Sequence, residues 1–158
     1  MSKNYQIKDL IGKSSATNQM RNVVYHFVRY MQEKELDDNE IRIRLKRMGK
    51  NIAKTMNPLF DFRSKSPENL IKQIYRTLLH SKVSISKKGH LYEVKDEGCA
   101  LCKYHRKDIS VSPGTIIPPM VAAILGQHGY KVIESSVLFA KSLGDNVCTH
   151  TYEILEDD

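Results

Sequence analysis

Apolar residues recur at three- and four-residue intervals through the first half of the chain, and at two-residue intervals in two later stretches. The first pattern predicts amphipathic helices, the second half-buried strands. Met20, Val23, Val24, Phe27, Val28 and Met31 form one stripe and predict a first helix from about Ser15 to Leu36, with Ser14, Ser15 and Thr17 as candidate caps. Residues 1–14 read as a polar lead-in, from which Ile7, Leu10 and Ile11 could pack on the domain. Tyr25 and Tyr30 fall off the stripe and suggest a dimer contact.

Asp37-Asp38-Asn39 announces a second helix whose apolar side is Ile41, Leu45, Met48, Ile52 and Met56; Pro58 marks its end. Gly49 lies inside it at a cost of ~1 kcal/mol against alanine, which close approach of a neighbouring helix would offset. Ser66-Pro67-Glu68 is a cap, a proline at the first helical position and an acid, so a third helix follows, burying Leu70, Ile71, Ile74, Tyr75, Leu78 and Leu79.

Val83 and Ile85 alternate with serines, Lys87-Lys88-Gly89 is a turn signal, and Leu91 to Lys95 alternates again: a hairpin. Residues 96–112 are the least regular. A fourth helix starts between Pro113 and Pro119, carries Ile116, Ile117, Met120, Val121, Ile124 and Leu125, and meets Gly129 at its C-terminus. Lys131 to Lys141 reads as a long strand, Leu143-Gly144-Asp145-Asn146 as a turn, and Val147 to Leu155 as the last strand before an acidic tail, 155–158. The order is αααββαββ. Two hairpins flanking a helix imply an α+β fold: a four-stranded antiparallel sheet packed against a helical layer, in a single domain over residues 1–158.

Composition changes this picture little. The 158 residues are 41% hydrophobic, a globular balance, and the apolar runs are too short to span a bilayer. The opening residues lack the apolar core of a signal peptide, so a cytoplasmic protein with reduced thiols is expected. The net charge of +7 favours acidic partners, whether lipid headgroups, acidic protein or nucleic acid. No recognition helix, zinc-finger spacing or aromatic-basic platform supports nucleic acid. Arg42, Lys46, Lys50 and Lys54 recur every four residues along one side of the second helix, widened by Arg44 and Arg47. This face is the candidate surface for a partner or a membrane, set against an ordinary solvated helix face.

The strongest chemical signal is a split set of soft donors. Cys99 and Cys102 form a CxxC, and Cys148 and His150 lie two residues apart on the last strand, hence on one face. Brought together they would make a four-ligand structural zinc site, with His105 as the alternative fourth donor. The plainer alternative is three buried cysteines packing as small apolar groups and a satisfied strand histidine. Met20, Met31, Met48, Met56 and Met120 either line a pliable ligand cavity or belong to the plain core. A catalytic signature is missing: no GxGxxG, no P-loop, no serine elbow and no evident acid–base pair.

Arg44-Leu45-Lys46-Arg47-Met48-Gly49-Lys50-Asn51-Ile52 in the second helix, Pro119 to Val132 with Gly126 and Gly129-Tyr130, and Ser142-Leu143-Gly144-Asp145-Asn146-Val147-Cys148 before the last strand are three patches in a telling order. Together with the element order they resemble the small subunits of the transport protein particle (TRAPP) and the 4-vinyl-reductase-type domains, from about Thr17 to Ile154. The resemblance implies the TRAPP-subunit-like fold, also called the NO-signalling and Golgi-transport ligand-binding fold. It implies a non-enzymatic adaptor, dimeric through helices, that scaffolds a protein partner such as a small GTPase or related subunits, with peripheral membrane contact as a further expectation. The other branch implies a sensor that binds a small hydrophobic ligand, often with zinc; a tetrapyrrole-related reductase is the distant third reading. One eukaryotic subunit type carries an acylated cysteine after the second helix, but Asn57 to Ser66 contains none here. Of the sensor branch's metal residues only Cys148 has a clear match; the CxxC resembles that of some archaeal members.

Overall fold

The structure, a computed structural model, describes residues 7–56 and 62–155. The elements are α1 (Ile7–Glu33), α2 (Asp38–Met56), α3 (Pro67–Leu78), β1 (Val83–Lys88), β2 (Leu91–Asp96), α4 (Ile117–Gln127), β3 (Lys131–Phe139) and β4 (Cys148–Leu155). All strand pairs are antiparallel, in the order β1-β2-β4-β3, so β4 is central and pairs with β2 and β3. This is the α+β arrangement that the periodicities predict. Along β4, Cys148, His150, Tyr152 and Ile154 alternate onto the buried face and meet α3 and α4. Register keeps cross-strand partners on one face, so Asp96 of β2 stands opposite Cys148 and Val94 opposite His150.

α1 begins at Ile7, not Ser15, so residues 7–14 are helical and the expected caps Ser14, Ser15 and Thr17 lie inside the helix. The side chains of Ile7, Leu10 and Ile11 lie outside the described residues, as do Pro58 and the tail 156–158. The helix stops at Glu33 because Glu35 takes a left-handed conformation, φ 61°, and the Leu36 N–H turns back to the Met31 carbonyl. The apolar stripe of α1 divides. Val24, Val28 and Met31 point into a core shared with Ile41 and Leu45, while Met20, Val23 and Phe27 are exposed. A single wide stripe was expected; two adjoining seams, one facing in and one facing out, give the same spacing.

α2 and α4 pack closely enough that the Gly49 position admits no side chain. A Cβ there would stand 2.2 Å from the Ile116 carbonyl oxygen and 2.9 Å from Pro119. Ser66 caps α3 by accepting the Asn69 N–H at 3.2 Å. A 3-10 turn, Pro113–Ile116, capped by Ser112, leads directly into α4, whose first turn carries Pro118 and Pro119. The strand expected over Lys131–Lys141 ends at Phe139. There Asp145 accepts the Ala140 N–H at 2.8 Å and the chain folds into a short 3-10 turn, Lys141–Leu143, closed by Gly144 at φ 110°.

Candidate functional site

The segment between β2 and the 3-10 turn has no regular structure, and two cysteines bring it to the sheet. Cys99, Cys102 and Cys148 are buried, and their sulfur atoms lie within 4.8 Å of one another. The Cys102 N–H reaches the Cys99 carbonyl at 3.4 Å, the tight turn that lets a CxxC aim both thiols one way. Cys148 enters from the first position of β4, where the Lys141 N–H meets its sulfur at 3.4 Å. Ser112 Oγ lies 3.2 Å from Cys102 Sγ, and Ser142 Oγ donates to the same sulfur at 3.6 Å. These two hydroxyls touch each other at 2.8 Å. Gly114 leaves room for the sulfur: a Cβ there would stand 2.7 Å from Cys102 Sγ.

Hydrogen bonds from Cys148, Cys99 and then the two serines hold the Cys102 thiol well below its ordinary range. Cys99 and Cys148 are pushed the other way, first by the hydrogen bond each makes to Cys102; Cys148 reaches about 12. Three converging sulfurs are a donor set for a soft divalent cation, and zinc fits that chemistry.

Neither histidine joins them: the three cysteines group without His150 or His105. His150 is buried on the same strand face, but its Nδ1 lies 2.6 Å from the Tyr75 hydroxyl, which lies 2.7 Å from the Tyr152 hydroxyl. Burial lowers its pKa to about 4, so the ring is neutral, and its Nε2 has no partner among the described residues. His105 is exposed on the loop, with its ring beside Gly144. The sequence could place Tyr152 on the face of His150 by strand parity, and Tyr75 on the buried side of α3. That the two hydroxyls meet depends on how α3 crosses the sheet.

A second site is an apolar cavity of about 440 Å³ between α1, α2, the end of α3, the cysteine loop and the start of α4. Met20, Met56 and Met120 line it with Leu78, Leu101 and Ile117. Met31 and Met48 pack in the core around α1 instead. The expected dimer contact at Tyr25 is corrected: the residue is buried, its hydroxyl bonds to Asp108 and its ring lies 4.2 Å from the Arg106 guanidinium. Tyr30 remains exposed. Arg42, Lys46, Lys50 and Lys54 are all exposed along α2, and Arg42 pairs with Asp38 at 3.6 Å. Among the described residues no helix is long and apolar enough to cross a membrane.

No protein-family profile matches the sequence, and no curated protein matches it. Among solved structures, the chain is similar to a trafficking protein particle complex subunit 3 from Naegleria fowleri, covalently bound to palmitic acid. The TM-score is 0.75 at 14% identity, over 90% of this chain and 97% of that one. The chain therefore has the TRAPP-subunit fold.

Proposed function

We propose that this protein is a non-enzymatic adaptor domain that self-associates through the outer seam of α1 and holds a further protein partner. The observation that carries this reading is the spacing of exposed Met20, Val23, Phe27 and Tyr30. They follow one another at three, four and three residues, the spacing of a seam that pairs with another helix. Met20, Val23 and Tyr30 are each more than half exposed, against an inner seam at 0–3%. The test is the mass in solution by light scattering. The unaltered chain is expected to be a dimer, and Val23→Asp with Phe27→Asp a folded monomer. An unaltered monomer, or a dimer indifferent to both charges, removes the proposal.

The basic face of α2, Arg42, Lys46, Lys50 and Lys54, adjoins this helix layer and suits an acidic protein such as a small GTPase, or an anionic membrane surface. Loss of capture on charge reversal of Arg42, Lys46 and Lys50 would assign it; unchanged capture would exclude it. A second reading, an apolar ligand, rests on the cavity that α1 helps to line, and palmitic acid in the similar subunit supports it. No cysteine lines the cavity here, so the ligand would be held without a covalent bond. The three cysteines would hold zinc as a clasp between loop and sheet, with its fourth ligand from outside the trio; it would carry no reaction.

A further inference from the structure

A cleft of about 670 Å³ lies between α3 and the first residues of β1. Arg63, Lys72, Arg76 and Lys82 converge on it, with Asn69 and Gln73 between them. Asn69, Lys72, Gln73 and Arg76 share the side of α3 opposite the buried Leu70, Ile71 and Ile74, so the helix that builds the core also builds this wall. Among the described residues no carboxylate lines the cleft, and its apolar contribution is Val83. Two acids stand close by. Glu68 holds Lys72 at 2.5 Å, and Ser81 donates to Asp96 behind the wall. Neither Arg76 nor Lys82 has an ion-pair partner among the described residues.

Like charges gathered on one concave surface repel one another and concentrate anions. Phosphate answers that field, and Arg76 adds the fork geometry that suits phosphate oxygens. The cleft is larger than one phosphate needs and falls within the range of small-molecule sites. It also contains a demand that ionised phosphate oxygens cannot meet: Gln73 Oε1 is buried and lacks a donor among the described residues. A hydroxyl group would supply one. We infer that the cleft between α3 and β1 binds a phosphorylated polyol, its phosphates on Arg76 and Lys82 and a hydroxyl on Gln73.

Such a ligand is either free or the headgroup of a lipid, and two titrations of the full-length protein separate these sources. One uses inositol 1,4,5-trisphosphate in solution, which keeps three free hydroxyls; the other uses phosphatidylcholine vesicles with or without phosphatidylinositol bisphosphate. Saturable binding to the soluble probe alone assigns a free ligand, and phosphoinositide-dependent vesicle binding assigns a headgroup. In either case Arg76→Glu with Lys82→Glu should weaken binding by about tenfold or more, while Lys107→Glu with Lys131→Glu, exposed residues outside both the cleft and the α2 face, changes it by less than about twofold. Gln73→Met leaves the charge intact, and should weaken the inositol probe without changing binding of inorganic sulfate, which has no hydroxyl to donate. Melting curves confirm that each variant is folded. Binding to neither probe, or equal losses from the Lys107/Lys131 and cleft reversals, overturns the inference; equal behaviour of Gln73→Met towards both anions removes the polyol. Because the cleft lies apart from the α1 seam, a monomeric but binding-competent protein would leave the inference standing while the adaptor reading fell.

Discussion

Two residues apart on β4, and on the same buried face, Cys148 and His150 belong to different arrangements. Cys148 joins two sulfurs delivered by an irregular loop, whereas His150 joins two phenols, one from α3 and one from its own strand. The first grouping ties a segment without its own secondary structure to the sheet. The second ties two regular elements that the hydrophobic core already joins. A shared strand face thus fixes which side of the sheet a residue occupies, not which neighbour it meets 5–7 Å further along the strand. Pairing requirements differ too: a buried thiol packs as an apolar group, but a buried phenol or imidazole must find partners.

The largest effect is expected where the loop is clasped. If the trio holds zinc, the purified protein should contain about one zinc per chain, and Cys148→Ser should abolish it. Removing the metal with a chelator should lower the melting midpoint by about 10 °C or more, because metal bound only by the folded chain stabilises it directly. His150→Gln should retain the metal. Elemental analysis of the two variants side by side decides the matter. Loss of zinc in both would merge the two groupings into one site, and its absence from the unaltered protein would leave the cysteines as packing residues.

A smaller effect is expected in the phenol–imidazole network, and it should leave metal content unchanged. Tyr75→Phe keeps the ring that fills the core but removes the hydroxyl shared by His150 Nδ1 and Tyr152. Two buried polar groups then lose a partner, at a cost of about 2 kcal/mol, or roughly 4–8 °C in the melting midpoint. Chemical denaturation of Tyr75→Phe, Tyr152→Phe and the double variant forms a closed cycle. Additive losses would show that the two hydroxyls do not act together, contrary to their 2.7 Å separation.

Much of this arrangement was legible in the sequence, for identifiable reasons. The Ser66-Pro67 start of α3 and the alternation in β4 are local signals, and the structure follows them. Gly49 announced a close approach, and the approach is to Ile116 and Pro119. The convergence of Cys99, Cys102 and Cys148 followed from donor chemistry. The fourth position did not, because His150 and its competitor His105 were distinguished by tertiary placement alone: one is drawn to Tyr75, the other stays at the surface. Tyr25 was misplaced because its inward role depends on Asp108 and Arg106, which arrive from a loop with no periodicity to read. The basic cleft leaves no signal in the sequence for a similar reason. Its charges come from before α3, within α3 and before β1, and none forms a run.

The smallest effect belongs to a third polar grouping, whose exposure sets the scale for the two buried ones. Tyr25 donates to Asp108, Arg29 stands 3.3 Å from the same carboxylate, and Asp108 is nearly half exposed. The Tyr25 hydrogen bond, then the charges of Arg29 and Arg106, hold the Asp108 carboxyl below its ordinary value of 3.8. A carboxyl whose folded value is depressed stabilises the fold above the unfolded value, and that contribution fades as pH falls through the folded one. Tyr25→Phe removes the leading cause. The melting midpoints of the two proteins should therefore differ by a constant few degrees at most above about pH 4, and the Asp108 part of that gap should close as pH falls further. Added salt should narrow the part due to Arg29, since exposed charges are screened. A gap that stays the same from neutral pH to the acid limit would mean that the hydroxyl's contribution does not depend on the charge of Asp108, and that this exposed grouping, contrary to what its depressed carboxyl implies, is not held by the carboxylate form.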